Sequence, residues 1–170
     1  MRVIHAKKAY CSKLVLLISL TLGLFMMGAN ADSHSDNEVF SAAVKAVKAR
    51  DYSRALTLFE QQANDAAHDA QYNMAVLLQA GKGRPRYYPD ALYWGWLAQL
   101  GGIEEAEDLA SDVLDTLTEE DIKAVRARVG ENLQARLNNG DINAIAQFAE
   151  YHLTILAESD YNTAYKWYSI

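Results

Sequence analysis

The chain has very little cysteine and proline. Its 170 residues contain one cysteine, Cys11, and two prolines, Pro85 and Pro89. A single thiol cannot form an intramolecular disulfide, which excludes a disulfide-stabilised scaffold and leaves packing to hold the fold together. Because the two prolines lie close to each other, the long stretches on either side carry no obligate helix breaker.

The chain also lacks any sustained alternation of apolar and polar residues, the pattern of a half-buried strand. Apolar residues recur instead every three or four positions, which predicts an all-α fold with no sheet. The predicted helices cover about 35–50, 52–63, 68–80, 90–100, 103–117, 119–137, 142–158 and 161–170. Ser35, Asp51 and Thr118 have the spacing of helix caps, Gly81 ends a helix, and Gly130 predicts a bend or break.

The first 31 residues contain no acidic residue and four basic ones, followed by the uncharged run 14–27. That run is short for a membrane span and is typical of a signal peptide, removed between Ala31 and Asp32 after the small residues of Ala29-Asn30-Ala31. The alternative is an uncleaved membrane anchor. The prediction is export across the inner membrane to the periplasm, with no integral membrane segment after cleavage.

Loss of this leader removes four basic residues and no acids, leaving 12 Lys and Arg against 22 Asp and Glu, a net charge of −10. An acidic body repels nucleic acid and anionic membranes at long range, so we expect neither as a partner.

Motifs for catalysis or metal binding are scarce. His34, His68 and His152 lie in separate segments without metal-ligand spacing, and no metal site or cofactor is predicted. Acidic clusters at 104–108 and 119–121 fall at predicted helix starts, where the helix dipole favours negative charge. No catalytic residue is predicted, and the chain is expected not to be an enzyme.

The chain repeats itself. DYSRAL at 51–56 returns as DYNTAY at 160–165, and YYPDAL at 87–92 fits the same frame, which aligns Ala55, Ala91 and Ala164. A second set aligns 70–75 with 144–149. A repeat of this length is a helix pair that must stack on its neighbours to bury its apolar face.

Two segments carry a family pattern: DAQYNMAVLLQAGKG at 69–83 and DALYWGWLAQLGGIEEA at 90–106. They show an A-x-x-x-x-A/G helix, a G-x-G turn and an A-L-x-W helix, and together resemble the Sel1-like repeat, a relative of the tetratricopeptide repeat. Arg84, Tyr87 and Ala75 depart from the family's usual residues. Residues 111–140 follow the pattern poorly, which indicates degenerate or inserted helices.

The resemblance implies a right-handed α-solenoid of antiparallel helix pairs over 32–170, with Trp94 filling the interhelical core. It also implies a protein-binding scaffold or adaptor without chemistry of its own. The structural core positions of the repeat would be Tyr52, Ala55, Phe59, Ala70, Ala75, Gly81, Gly83, Ala91, Trp94, Gly101, Ala164 and Trp167.

A protein or peptide of the cell envelope is the predicted partner. The contact surface is predicted on the first helix of a pair and on the basic, tyrosine-bearing loop that follows it, where arginine and tyrosine are typical of binding sites. The residues are Gln71, Asn73, Gln79, Lys82, Arg84, Arg86 and Tyr87. The alternative for this loop is a solvated segment that balances nearby acids.

Two other functions stay open. One is a secreted hydrolase or binder of cell-wall or β-lactam-type substrates, and the other is a structural segment of a longer repeat scaffold truncated at residue 170. The apolar C-terminal segment KWYSI also predicts self-association through an open end of the array.

Overall fold

A computed structural model describes residues 36–169, in which all regular structure is helical and no strand occurs. The predicted all-α class is therefore confirmed. The predicted signal peptide, Ser35 and His34 lie outside the described residues. The helices are α1 (36–48), α2 (Tyr52–Asn64), α3 (His68–Ala80), α4 (Tyr88–Leu100), α5 (Glu105–Leu114), α6 (Glu119–Asn138), α7 (Asn143–Glu150) and α8 (Tyr161–Tyr168), with a π-helical segment, Tyr151–Ile155, after α7.

Local side-chain chemistry sets several of these boundaries. The Asp51 carboxylate accepts a hydrogen bond from the Arg54 N–H at 3.2 Å, and Asp160 accepts one from Thr163 at 3.0 Å. Thr118 caps α6 in the same way. Each cap satisfies a backbone donor that has no partner inside its helix. The predicted caps at Asp51 and Thr118 are thus confirmed, and α2 and α8 begin alike.

From Phe40 onward most helices pack on the next one in the chain, whereas α6 packs chiefly on α4 rather than on α5. The most extensive contact joins α3 to α4, and α4 also lies against α5 and α6. At the far end α7 packs on α6 and α8. The core runs through this stack as one cluster of buried apolar side chains.

The aligned repeat positions have matching environments. Ala55, Ala91 and Ala164 are all fully or almost fully buried on the second helix of their segments. Small side chains at these points let neighbouring helices approach closely, so a larger residue would force them apart. The second set agrees, since the residues at 70, 74 and 75 and their counterparts at 144, 148 and 149 are all buried.

Trp94 packs against the core cluster but is not the most buried tryptophan of this helix. It is half-buried, with its ring edge-on to Tyr93, whereas Trp96 is only 4% exposed. Helix α4 is enclosed by α3, α5 and α6, so a repeat pattern that assigns one buried face misses the face turned toward α6. The guanidinium of Arg126 on α6 lies 5.9 Å from the Trp96 ring.

Gly130 does not break α6, which runs unbroken to Asn138. A side chain at Gly130 would place its Cβ 2.8 Å from the hydroxyl oxygen of Tyr151. The glycine therefore makes room for that ring. The helix predicted over 142–158 is shorter than expected, because α7 gives way to the π-helical segment and Leu156 is extended.

Candidate functional site

The loop between α3 and α4 turns at two glycines and packs against α2. Gly81 ends α3 at a φ of 67°, and Gly83 has a φ of 85°, both in the left-handed region that favours glycine. A Cβ at Gly83 would lie 2.6 Å from the Tyr52 carbonyl oxygen, so the loop rests directly on the start of α2. The Ser53 hydroxyl donates a 3.2 Å hydrogen bond to the Gly83 carbonyl.

The three cations of this loop have different partners. Arg84 binds Glu60 through two hydrogen bonds of 3.3 and 2.6 Å, and this bonding raises the pKa of Arg84 above its ordinary value. Lys82 lies 5.3 Å from the Tyr52 ring, and Arg86 lies 5.7 Å from the Tyr88 ring. Arg84 therefore matches the prediction of a cation that balances a nearby acid.

Within the described part of the chain, neither Lys82 nor Arg86 forms an ion pair. Tyr87 lies beside them and is 54% exposed. The loop thus places two cations without carboxylate partners next to an exposed phenol. We call Lys82, Arg86 and Tyr87 the loop surface.

The predicted contact residues on α3 are only partly accessible. Asn73 and Gln79 are half-buried, and the Asn73 amide donates to the Asp69 carbonyl at 2.7 Å. Gln71 is 2% exposed, so the prediction that it contacts a partner is wrong. Its position on α3 faces α2 rather than solvent, and its amide nitrogen donates to the Ala63 carbonyl at 3.0 Å.

Gln71 belongs to a chain of hydrogen bonds through the interior. Its Oε1 lies 2.9 Å from Nδ1 of His68, and His68 Nε2 lies 2.9 Å from the amide nitrogen of Gln147 on α7. Gln147 Oε1 accepts from Arg136 at 2.6 Å, and Arg136 also binds Asp141. We call these five side chains, His68, Gln71, Arg136, Asp141 and Gln147, the polar relay.

From Arg136 the hydrogen bonds of the polar relay run in one direction through Gln147 and His68 to Gln71, while Arg136 also donates to Asp141. The Gln71 amide nitrogen donates to the Ala63 carbonyl, so the Gln71 oxygen is the atom that faces His68 Nδ1. Because this oxygen can only accept, the proton of a neutral His68 ring must be on Nδ1. His68 Nε2 is then the acceptor for Gln147, whose oxygen accepts from Arg136. Every member therefore has a partner, which is the condition for a buried polar network to stabilise a fold.

Gly101 provides the space for His68. A Cβ at this position would lie 2.1 Å from the imidazole Cγ. The sequence indicated Gly101 as a core position of the repeat but gave no sign of the ring beside it. No sequence motif marked Gln147 or Arg136 as part of a buried network, because a lone glutamine or arginine on a helix is typical of an exposed face.

His152 is packed among aromatic rings. Phe148 and Tyr151 lie edge-on to its imidazole at 4.8 and 5.4 Å, and its ring nitrogens form no hydrogen bond among the described residues. Burial lowers the pKa of His152, and the Asp160 carboxylate 3.9 Å away partly offsets this. A packing role fits this environment.

The acidic clusters occupy the first turns of α5 and α6, where the sequence placed them. Glu104 and Glu107 also line a surface cleft of about 380 Å³ with Glu150 and Thr154. Over residues 36–169, no three His, Cys, Asp or Glu side chains come close enough together to hold a metal ion.

Comparison with protein-family models, with curated proteins and with solved structures finds no match for this chain. The Sel1-like resemblance thus stays a prediction from the residues that carry it. None of the helices within 36–169 has the length and apolar character needed to cross a membrane. Over residues 36–169 the fold is that of an all-helical protein whose helices pack mainly on near neighbours in the chain.

Proposed function

We propose that this chain is an exported scaffold that binds a protein of the cell envelope through the loop surface. It is built as a right-handed solenoid of Sel1-like helix pairs, and it recruits its partner without catalytic chemistry. The equivalent burial of Ala55, Ala91 and Ala164 supports the repeat architecture. The basic leader with its apolar core supports export.

The observation that carries the binding role is the pair of uncompensated cations beside Tyr87. Like most Lys and Arg side chains of residues 36–169, these two have no carboxylate partner; what distinguishes them is that they share one loop with Arg84 and Tyr87. Lys82 and Arg86 are held instead against tyrosine rings, which leaves their charge available to an incoming anion. The complementary partner is an acidic segment that also offers an apolar group to Tyr87.

Contacts with α2 support the same role. The Gly83 backbone lies against Tyr52, Ser53 donates to the Gly83 carbonyl, and Arg84 pairs with Glu60, so the loop is tied to α2 before any partner arrives. A preorganised loop loses little conformational entropy on binding, so more of the contact energy appears as affinity.

The test is capture from an envelope extract by the purified full chain after chemical cross-linking. Lys82→Glu with Arg86→Glu reverses both uncompensated charges and should abolish capture of the specific partner. Arg84 is left unchanged because its loss would also break the ion pair with Glu60. Lys48→Glu with Lys123→Glu changes the net charge equally at exposed positions and should leave capture intact. Equal capture by both double variants would refute the loop surface as the binding site.

A further inference from the structure

The polar relay ties α7 to α3 through the ring of His68. On α3 the Gln71 oxygen accepts from Nδ1, and on α7 the Gln147 amide nitrogen lies 2.9 Å from Nε2. Gln71 and Gln147 are only 2% and 7% exposed. Because both amides are shielded from water, a hydrogen bond that is lost here is not replaced by one to solvent.

A proton added to His68 leaves the polar relay without a complete set of hydrogen bonds. Nε2 then becomes a donor and faces the amide nitrogen of Gln147, which is also a donor. Turning the Gln147 amide would offer its oxygen to His68, but it would place its nitrogen against the Arg136 guanidinium, which can only donate. Either orientation of Gln147 therefore sets two donors against each other.

The charges around His68 act in the same direction. The residues that lie against the ring from α3, α7 and the end of α4 are two glutamines and a glycine, which carry no charge. The charged members of the polar relay are Arg136 and Asp141, which bind each other, and within residues 36–169 the ring itself forms no ion pair. Asp69, the next residue on α3, is exposed. A protonated ring would add a second cation to a group that holds one carboxylate, which disfavours the charged form.

We propose that the polar relay is a pH-sensitive latch, closed while His68 is neutral and opened when His68 takes up a proton. Histidine is the side chain that changes its charge between pH 8 and 5. The bond that fails joins α3 to α7, so acid should release α7 from α3 while α7 keeps its packing on α6 and α8. The loop surface is tied to α2 instead, so the latch and the proposed function can fail independently.

Nuclear magnetic resonance of the purified full chain with isotope-labelled histidine rings tests the closed state. At pH 8 the His68 ring should carry its proton on Nδ1, and the His68→Ala variant identifies its signals. A proton on Nε2 would reverse the bonds to Gln71 and Gln147 and would overturn the proposal. This measurement uses the unaltered protein, so it does not depend on the folding of a variant.

Gln147→Glu tests whether the amide is what rejects the charged ring. A carboxylate can accept from Arg136 and from protonated His68 at the same time. The pH at which half of the His68 rings are protonated should therefore rise by about one unit or more in this variant. Gln134→Glu adds the same charge at an exposed position of α6 and should leave that pH nearly unchanged. An equal response of both variants would contradict the latch.

Chemical denaturation tests whether the proton weakens the fold. His152→Leu serves as the background, because it removes the other histidine of residues 36–169. Between pH 8 and 5 the folding equilibrium constant should fall about tenfold more with His68 present than in the His68→Ala variant of this background. Equal decreases would show that protonation of His68 opens nothing. Circular dichroism at pH 8 checks that each variant is folded, and the position of the ring proton in the unaltered protein decides if one is not.

Discussion

The helices α3 and α4 and the helices α6 and α7 achieve close packing in different ways. Between α3 and α4 the contact uses small residues: a Cβ on Gly95 would lie in ordinary contact with the Ala75 methyl group at 3.9 Å, and more tightly against Leu109 Cδ2 of α5 at 3.1 Å. Between α6 and the end of α7, a single large ring lies over Gly130, and the Tyr151 hydroxyl donates to the Arg126 carbonyl at 3.1 Å.

The difference explains why the repeat is visible in α3 and α4 and obscure in α6. Small residues at regular spacing leave a periodic pattern in the sequence. A ring that fits over one glycine depends on two residues far apart in the chain, and neither one predicts the other. The following substitutions separate the two kinds of contact, beginning with the largest expected effect.

Gly101→Ala should cause the largest loss, about 3 kcal/mol in the free energy of unfolding. Its φ of −83° is ordinary, so the cost is purely the collision with the His68 ring. Denaturant titration gives the value. His68→Ala removes the ring, and the double variant should be less destabilised than the sum of the single variants. If the losses of the two single variants simply add in the double variant, the His68 ring is not what Gly101 accommodates.

Gln147→Leu should cost about 2 kcal/mol, because it leaves His68 Nε2 and one Arg136 donor unpaired in a part-buried site. Thermal denaturation compares it with Gln134→Leu, at an exposed position of α6, which should change stability by about 0.5 kcal/mol or less. Similar small losses in both variants would mean that the polar relay does not stabilise the fold.

Gly130→Ala sharpens the comparison because two effects oppose each other. Alanine favours the helix by about 1 kcal/mol, but its methyl group meets the Tyr151 hydroxyl. We expect a net loss of about 1 kcal/mol from the steric contact. In a Tyr151→Phe background the hydroxyl is absent, and the same substitution should become less unfavourable or stabilising. Chemical denaturation measures both; stabilisation in the original background would refute the contact.

The smallest effect should appear as a pH dependence at His152. Its pKa is lowered mainly by burial, so the folded state favours the neutral imidazole. As pH falls below the ordinary value of about 6.5, the unfolded chain binds a proton before the folded chain does, and stability decreases. His152→Leu should flatten this slope in melting curves recorded between pH 8 and 5. An unchanged slope would assign the titration to another group.

Most of the helical structure could be predicted from the sequence, because caps such as Asp51 and Thr118 and the glycine at 81 act over three or four residues. The basic loop could also be found from its composition. Whether each cation has a carboxylate partner could not be predicted, because Arg84 pairs with Glu60 of α2, 24 residues earlier in the chain. The burial of Gln71 and of Trp96 was missed for a related reason: a repeat pattern assigns one buried face, whereas neighbouring helices bury α3 and α4 on more than one side.

The polar relay also bears on how the molecule unfolds. In an array whose helices touch only near neighbours, the ends can fray independently, and hydrogen exchange spreads inward one helix at a time. The bond between His68 and Gln147 joins residues 79 positions apart. When α7 opens, His68 on α3 therefore loses its partner Gln147. The amide protons of α3 and α7 should exchange together, as one cooperative unit.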